Sequence, residues 1–250
     1  MKEMLHTIPV NEAFEADDEC PFCHMERELE QHAIRYVLGP AASYMEPDVR
    51  GSTDKAGFCP QHIKKMYDYG NTLGNALILQ TYYARLLDEF HYESQMFEMP
   101  PKQPLLGKKK PIETERYWQR LEKKVNSCYI CDKIEYNLSR YYHTFFVLLK
   151  EPEFRQKVEN TKGFCLRHFA RLLQEAEDRL PNSQREWFYE TVFPLMEKHL
   201  IRVKDDLDWL VAKFDYRNAG ADWKNSQDAL QRTMQKLEGI YPADPPYKAK

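Results

Sequence analysis

The sequence predicts an all-α protein built from a duplicated helical unit: two pseudo-symmetric halves, each with a metal-linked helix pair. Three observations carry this. Glycine is scarce, with 9 residues in 250, and apolar residues recur at helical spacing with few period-two alternations. Three landmarks occur twice in the same order: CPFC (20–23) and CYIC (128–131), EPDVR (46–50) and EPEFR (151–155), GFCPQH (57–62) and GFCLRH (163–168). Finally, all 6 cysteines fall inside these landmarks. Their near-constant offset points to duplication of one helical unit, which two copies would arrange about a pseudo-twofold axis.

The elements follow from periodicity and punctuation. A first helix is expected from Phe22 to Leu38, with Met25, Leu29, Ala33 and Val37 on one face. Gly39 and Pro40 end it, since glycine supplies a left-handed cap and proline cannot continue the helix. A second runs from near Cys59 to Tyr69 and a long third from Leu73 to Phe97. PPKQPLLGKKKP (100–111) is too rich in proline and lysine to build a core and reads as a linker. Beyond it, helices are expected over Glu113–Asn126, Asp132–Leu149 and from Cys165 to before Pro181. The longest runs over Ser183–Tyr216, with Phe188, Val192, Leu195, Val203, Leu207, Leu210 and Phe214 as a buried stripe and Pro194 inside. A last helix, Asp222–Leu237, precedes a tail that reads as disordered. The expected division is therefore a first repeat over 1–99, a linker over 100–112, a second repeat over 113–217, and the C-terminal helix and tail over 218–250.

Composition excludes several classes. The length permits a core large enough to fold without metal as a substitute for size. A net charge of -3 provides no global basic field for nucleic acid or an anionic membrane. The run Lys108–Lys110 fits a linker. No apolar stretch of about 18 residues is present, so no transmembrane helix is expected. The N-terminus lacks the apolar core of a signal peptide, which leads to the expectation of a cytosolic protein without stable disulfides.

The cysteines supply the chemistry. Each half offers a C-x-x-C pair, a third cysteine, and a histidine three residues after it. Three sulfurs and an imidazole complete a tetrahedral zinc shell. A C-x-x-C turn lets two thiolates converge on one ion. Cysteine and histidine three apart share one face of a first helical turn, where the helix N-terminus favours thiolate. The expected ligands of two zinc ions are Cys20, Cys23, Cys59 and His62 in one half, and Cys128, Cys131, Cys165 and His168 in the other. Similar internal spacings favour closure within each half; pairing of one half's C-x-x-C with the other's C-x-x-H stays open. Gly57 and Gly163 allow positive φ beside the ligand turn, and Phe58 and Phe164 supply an apolar shield. An iron–sulfur cluster uses the same donor types and is the alternative cofactor. A thioredoxin-like redox motif expects a βαβ unit that this pattern lacks. Six buried structural cysteines are the plainest alternative, but chance does not pair them with two histidines on identical spacing.

Weaker constellations have plain readings. Glu46, Asp48, Arg50, Glu151, Glu153 and Arg155 could form a paired polar site; equally, Pro47 and Pro152 open short helices with acids in the first turn. His24, next to CPFC, has Asp132 as its counterpart and reads as a helix-surface residue. His143 and His199 read as core or surface residues of apolar helices. The tyrosine pairs 82–83 and 141–142 read as helix contacts with hydroxyls reaching water, or as part of a partner-binding groove. No nucleophile elbow, phosphate loop or H-E-x-x-H motif occurs.

CPFC, MEPDVR and GFCPQH, following HTIPVNEAF, resemble an uncharacterised bacterial family of unknown function whose members carry C-P-x-C and G-F-C-x-x-H in that order. The resemblance is close over the first half and looser over the second, where CYIC lacks the proline. It implies a bacterial, cytosolic setting and no particular activity. The functional expectation is a non-enzymatic interaction or regulatory module with two structural zinc sites and an unidentified protein partner. An iron–sulfur or thiol redox sensor and an enzyme with a cleft between the halves are the alternatives.

Overall fold

The computed structural model describes residues 7–99, 115–242, 244, 247 and 248. Among them the regular structure is entirely helical. The helices are α1 (Ile8–Glu15), α2 (Pro21–Leu38), α3 (Pro47–Ala56), α4 (Pro60–Tyr69), α5 (Thr72–Gln95), α6 (Tyr117–Val125), α7 (Tyr129–Leu148), α8 (Pro152–Asn160), α9 (Leu166–Arg179), α10 (Asn182–Ala212) and α11 (Ala229–Glu238). The expected linker, including Lys108–Lys110, lies outside the described residues. So do residues 113 and 114 of the expected post-linker helix; Glu115, Arg116 and Asn126 are described but lie outside α6, which begins at Tyr117.

Several starts are written in proline. Pro47, Pro60 and Pro152 each stand in the first turn of their helix, where a missing N–H costs nothing. This settles the local role of the two E-P-acid-x-R segments: they open α3 and α8. Arg50 turns back to the carbonyl of Met45 at 3.4 Å, and Arg155 to that of Leu149 at 2.7 Å while lying over the Trp187 ring. The sequence order of elements after each C-x-x-C is the same: a long helix, a proline-opened short one, G-F-C-x-x-H at the start of the next, and a long helix again.

The chain forms two compact units, Met1–Leu29 with Glu135–Pro245, and Glu30–Ile134 with Pro246–Lys250. Each draws residues from both sequence halves.

The first unit is built on aromatic rings. Phe14 stacks on Phe145 with centroids 5.4 Å apart and meets Phe154 at 5.1 Å. Phe22 meets Phe145 at 5.7 Å and lies flat on Tyr142 at 4.1 Å. Helix α1, absent from the expected elements, brings Phe14 here and rests on α8. At 8 residues it is too short for its periodicity to announce it. Tyr142 departs from expectation. Its hydroxyl does not reach water: the ring is fully buried between Phe22 and the Arg171 guanidinium, and the hydroxyl is 3.5 Å from the carbonyl of His168. Phe145→Ala is expected to cost about 3–5 kcal/mol, measurable as a lowered urea midpoint.

A buried charge network lines the same unit. Glu19 receives Arg202 at 2.6 and 2.8 Å and Lys236 at 3.2 Å. Lys236 also donates to the backbone carbonyls of Glu19, at 2.7 Å, and Lys162. It thereby ties α11 to the residue before Cys20.

The C-terminal helices differ from their expected limits. The stripe of α10 is buried through Val203, but Leu207 and Leu210 are half-buried and Phe214 is 84% exposed. The helix stops at Ala212 because the chain turns around Lys213, whose ammonium donates to the carbonyls of Asn218, Ala219 and Ala221 at 2.7, 3.1 and 2.6 Å. The last helix accordingly begins at Ala229 rather than Asp222, after a segment that Arg232 grips through the carbonyl of Asn225 and the carboxylate of Asp228.

In the second unit α3 and α4 pack on α5. Gly70, at φ 94, ends α4, and the Asn71 side chain caps α5 by accepting from the Gly74 amide. Tyr247, in the tail, donates to Glu30 at 3.1 Å.

Candidate metal centres

The eight sequence-predicted ligands gather into two groups of four, but the partition is reciprocal. Cys20 and Cys23 meet Cys165 and His168; Cys128 and Cys131 meet Cys59 and His62. Each centre combines the C-x-x-C of one half with the C-x-x-H of the other. This corrects the expected closure within halves. Equal internal spacings could not discriminate, because both partitions use the same donors on the same local turns.

The first centre lies within the first unit. Cys20 and Cys23 flank the start of α2, and Cys165 and His168 the start of α9. His168 Nδ1 is 3.5, 3.4 and 3.3 Å from the sulfurs of Cys20, Cys23 and Cys165, and Cys23 Sγ is 3.6 Å from Cys165 Sγ. All four side chains are buried. The second centre lies within the second unit, at the starts of α4 and α7. His62 Nδ1 is 3.2, 3.2 and 3.3 Å from the sulfurs of Cys59, Cys128 and Cys131, and Cys59 and Cys131 sulfurs are 3.9 Å apart. Here Cys131 is exposed and Cys59 half-buried.

These separations test the fit to zinc. With Zn–S about 2.3 Å and Zn–N about 2.0–2.1 Å, a regular tetrahedron has edges of roughly 3.8 Å between sulfurs and roughly 3.6 Å from sulfur to nitrogen. In each centre all four donor atoms lie within 4.8 Å of one another. The residues therefore fit one four-coordinate cation per centre, bound by protein alone.

Local backbone makes these approaches possible. Gly57 and Gly163 adopt φ of 66° and 79°, as expected. A Cβ at Gly57 would stand 2.9 Å from the Tyr82 hydroxyl, and one at Gly163 3.2 Å from the Met196 sulfur. Cys165 caps α9, its sulfur accepting from the His168 amide at 3.4 Å. Phe58 and Phe164, expected as apolar neighbours of the donors, are both buried. Before Cys20, Asp18 accepts from the Cys20 amide at 2.9 Å and is held by Arg27 and Gln235. His24 is half-buried and outside both groups. His143 is exposed beside Arg179, and His199 is half-buried beside Arg202.

Two carboxylates missed by sequence reasoning face the imidazoles, and both come from α2. Glu30 accepts from His62 Nε2 at 2.9 Å and is itself paired with Lys65 and Tyr247. Glu26 lies 3.5 Å from His168 Nε2. It is turned towards Arg167, and His168 Nε2 has no aligned hydrogen bond. Nothing in the sequence distinguishes these glutamates from others on helix surfaces.

With protons in place of a cation, the second centre polarises itself. Burial opposes the charge of His62, but Cys128 and Glu30 push it up to about 10. Cys128, although burial raises it, is drawn down to about 6 by His62. Partial desolvation among the other donors and the neighbouring Cys128 push the Cys131 thiol up, although the residue reaches the surface. Burial likewise opposes ionisation of Glu30, yet His62 and Lys65 hold it at about 2. In the first centre Cys20 and Cys23 hold Cys165 far below the usual thiol range. Metal ligation requires neutral imidazole and thiolate, so loading the second centre displaces protons and depends on pH. Glu30→Gln is expected to lower zinc affinity there about 10–100-fold, the usual effect of removing a carboxylate behind a ligand histidine. Competition with a chromophoric chelator measures it.

Comparison with known proteins agrees with a family of undefined activity. An uncharacterised 23.9 kDa protein in the xynA 3' region of Caldicellulosiruptor sp. (strain Rt8B.4) is 22% identical over 204 residues, covering 81% of this chain and 85% of that protein. No solved structure matches. The family of unknown function DUF6062 matches residues 1–244, which spans all eight thiol and imidazole donors, and the chain belongs to that family.

Proposed function

We propose that this is a zinc-binding helical protein whose two ions are structural and which acts as a non-enzymatic interaction or regulatory module. One observation carries the reading: two sets of three sulfurs and one imidazole, each compact enough to saturate a single cation. Catalytic zinc keeps a position for water or substrate, whereas a four-ligand protein shell closes it. A cage of this size suits one ion held by all four donors. A multi-iron cluster distributes its ligands over several metal atoms.

The reciprocal exchange of motifs supports the duplicated-unit reading, since the C-x-x-C of each half meets the C-x-x-H of the other. The interaction reading draws on α5, which leaves Leu73, Tyr83, Leu87, Phe90 and Tyr92 exposed, with Tyr83, Leu87 and Phe90 on one helix face. The described helices include none long and apolar enough to cross a membrane. All six cysteines are free thiols, which agrees with the cytosolic setting proposed for it. Elemental analysis of protein purified without oxygen is expected to give two zinc per chain and a colourless sample. A brown, iron-loaded sample would replace this reading by the iron-based one.

A further inference from the structure

The two centres use the same donors but differ in access, and the structure assigns them different chemistry. The assignment rests on the two-zinc reading above. We infer that the Cys59/His62/Cys128/Cys131 centre is a thiol-oxidation switch, with Cys131 the site of attack, and that the Cys20/Cys23/Cys165/His168 centre is permanent.

Access separates them. Every donor of the first centre is buried. Phe22 stands 5.9 Å from the His168 ring and Phe164 is fully buried nearby. Lys236 and Arg167 hold the flanking chain at Glu19 and Glu26. In the second centre Cys131 is exposed and Cys59 half-buried, while Cys128 and His62 are buried. The two accessible sulfurs are also neighbours, 3.9 Å apart. They sit on different elements, Cys59 at the N-cap of α4 and Cys131 in the first turn of α7. Thiolates react according to exposure as well as ionisation, so one edge of one centre carries the vulnerability.

The co-reactant is a hydroperoxide. The Cys131 sulfur attacks the peroxide oxygen and the O–O bond breaks. Cys131 becomes a sulfenic acid, and the alkoxide or hydroxide leaving group takes a proton from water. Cys59 then attacks the Cys131 sulfur, the S–O bond breaks, and hydroxide leaves. Two sulfurs lose one electron each, the peroxide gains two, and a Cys59–Cys131 disulfide forms. Two donors are thereby withdrawn and the ion is released. The disulfide still joins α4 to α7, so the metal link is exchanged for a covalent one. Thiol reductant and zinc restore the centre, since disulfide and sulfenic acid are both reversible.

The test uses the full chain, purified anaerobically and assayed for zinc beforehand. Hydrogen peroxide is added in increments in the presence of a chromophoric zinc chelator. Thiols are alkylated and mapped by mass spectrometry, with denatured protein as the reference for full reactivity. One of the two zinc equivalents is expected to leave, together with a Cys59–Cys131 disulfide, while Cys20, Cys23 and Cys165 stay protected. Reductant with added zinc should return the second equivalent. Release of both ions together, earlier loss of the buried thiols, or a Cys128–Cys131 disulfide would overturn the inference and leave the two-zinc reading standing. Protein that holds no metal before oxidation would remove both.

Discussion

Cys165→Ser is expected to loosen both chain ends of the first unit while sparing the second. The reason is the reciprocal partition. Cys165 shares its centre with Cys20 and Cys23, so its loss frees the start of α2 and the start of α9. Hydrogen exchange should rise in α1, the first turns of α2, α9 and α11, with α3, α4 and α5 remaining protected. The tie between Cys23 and Cys165 closes 142 residues of chain; closure within a half would span roughly a quarter of that, a difference of about 1 kcal/mol in loop entropy. The variant should lose one zinc equivalent and keep the other. Cys59→Ser gives the complementary result, loosening α4 and the start of α7. Had each centre closed within its half, Cys165→Ser would have left residues 20–38 unchanged, so the two exchange maps are mutually exclusive.

Removal of both ions is expected to have the largest effect on stability. A structural zinc contributes on the order of 10 kcal/mol of apparent folding energy, comparable with the total stability of a domain, about 5–15 kcal/mol. For a chain of this length each kilocalorie lost lowers the melting temperature by about 2–4 °C. Chelation should therefore lower it by about 20 °C or more, or abolish a cooperative transition. Circular dichroism with and without a strong chelator measures this, and re-addition of zinc should restore the signal. The pH dependence follows from the donors. Acid protonates thiolate and imidazole, so zinc is lost and stability falls as pH drops. The second centre should fail first, because its donors are the more accessible to water. An unchanged melting curve after complete metal removal would mean that the aromatic core and the Glu19 network suffice to hold the fold.

Much of this molecule was legible from residue order. The helical class followed from periodicity, and α2, α4, α5, α7 and α9 fall within a few residues of their expected limits because proline, glycine and cysteine mark their ends. The eight residues that gather into the two groups were legible, since both sequence halves carry three cysteines and a histidine at similar spacing. Features that depend on encounters between distant residues were not. Helix α1 is too short to signal itself, and the end of α10 depends on Lys213 finding three carbonyls. Tyr142 reads as an ordinary helix aromatic until Phe22 and Arg171 enclose it. Glu26 and Glu30 gain meaning only from the histidines they face.

By itself, the sequence determined the candidate donors: two sets of three cysteines and a histidine, placed on or beside helix starts. Tertiary structure alone decided which C-x-x-C meets which C-x-x-H, and how much water each centre sees. The physical reason is that coordination energy is the same for either partition. Loop entropy differs by only about 1 kcal/mol, so the packing of whole helices, summed over many contacts, makes the choice.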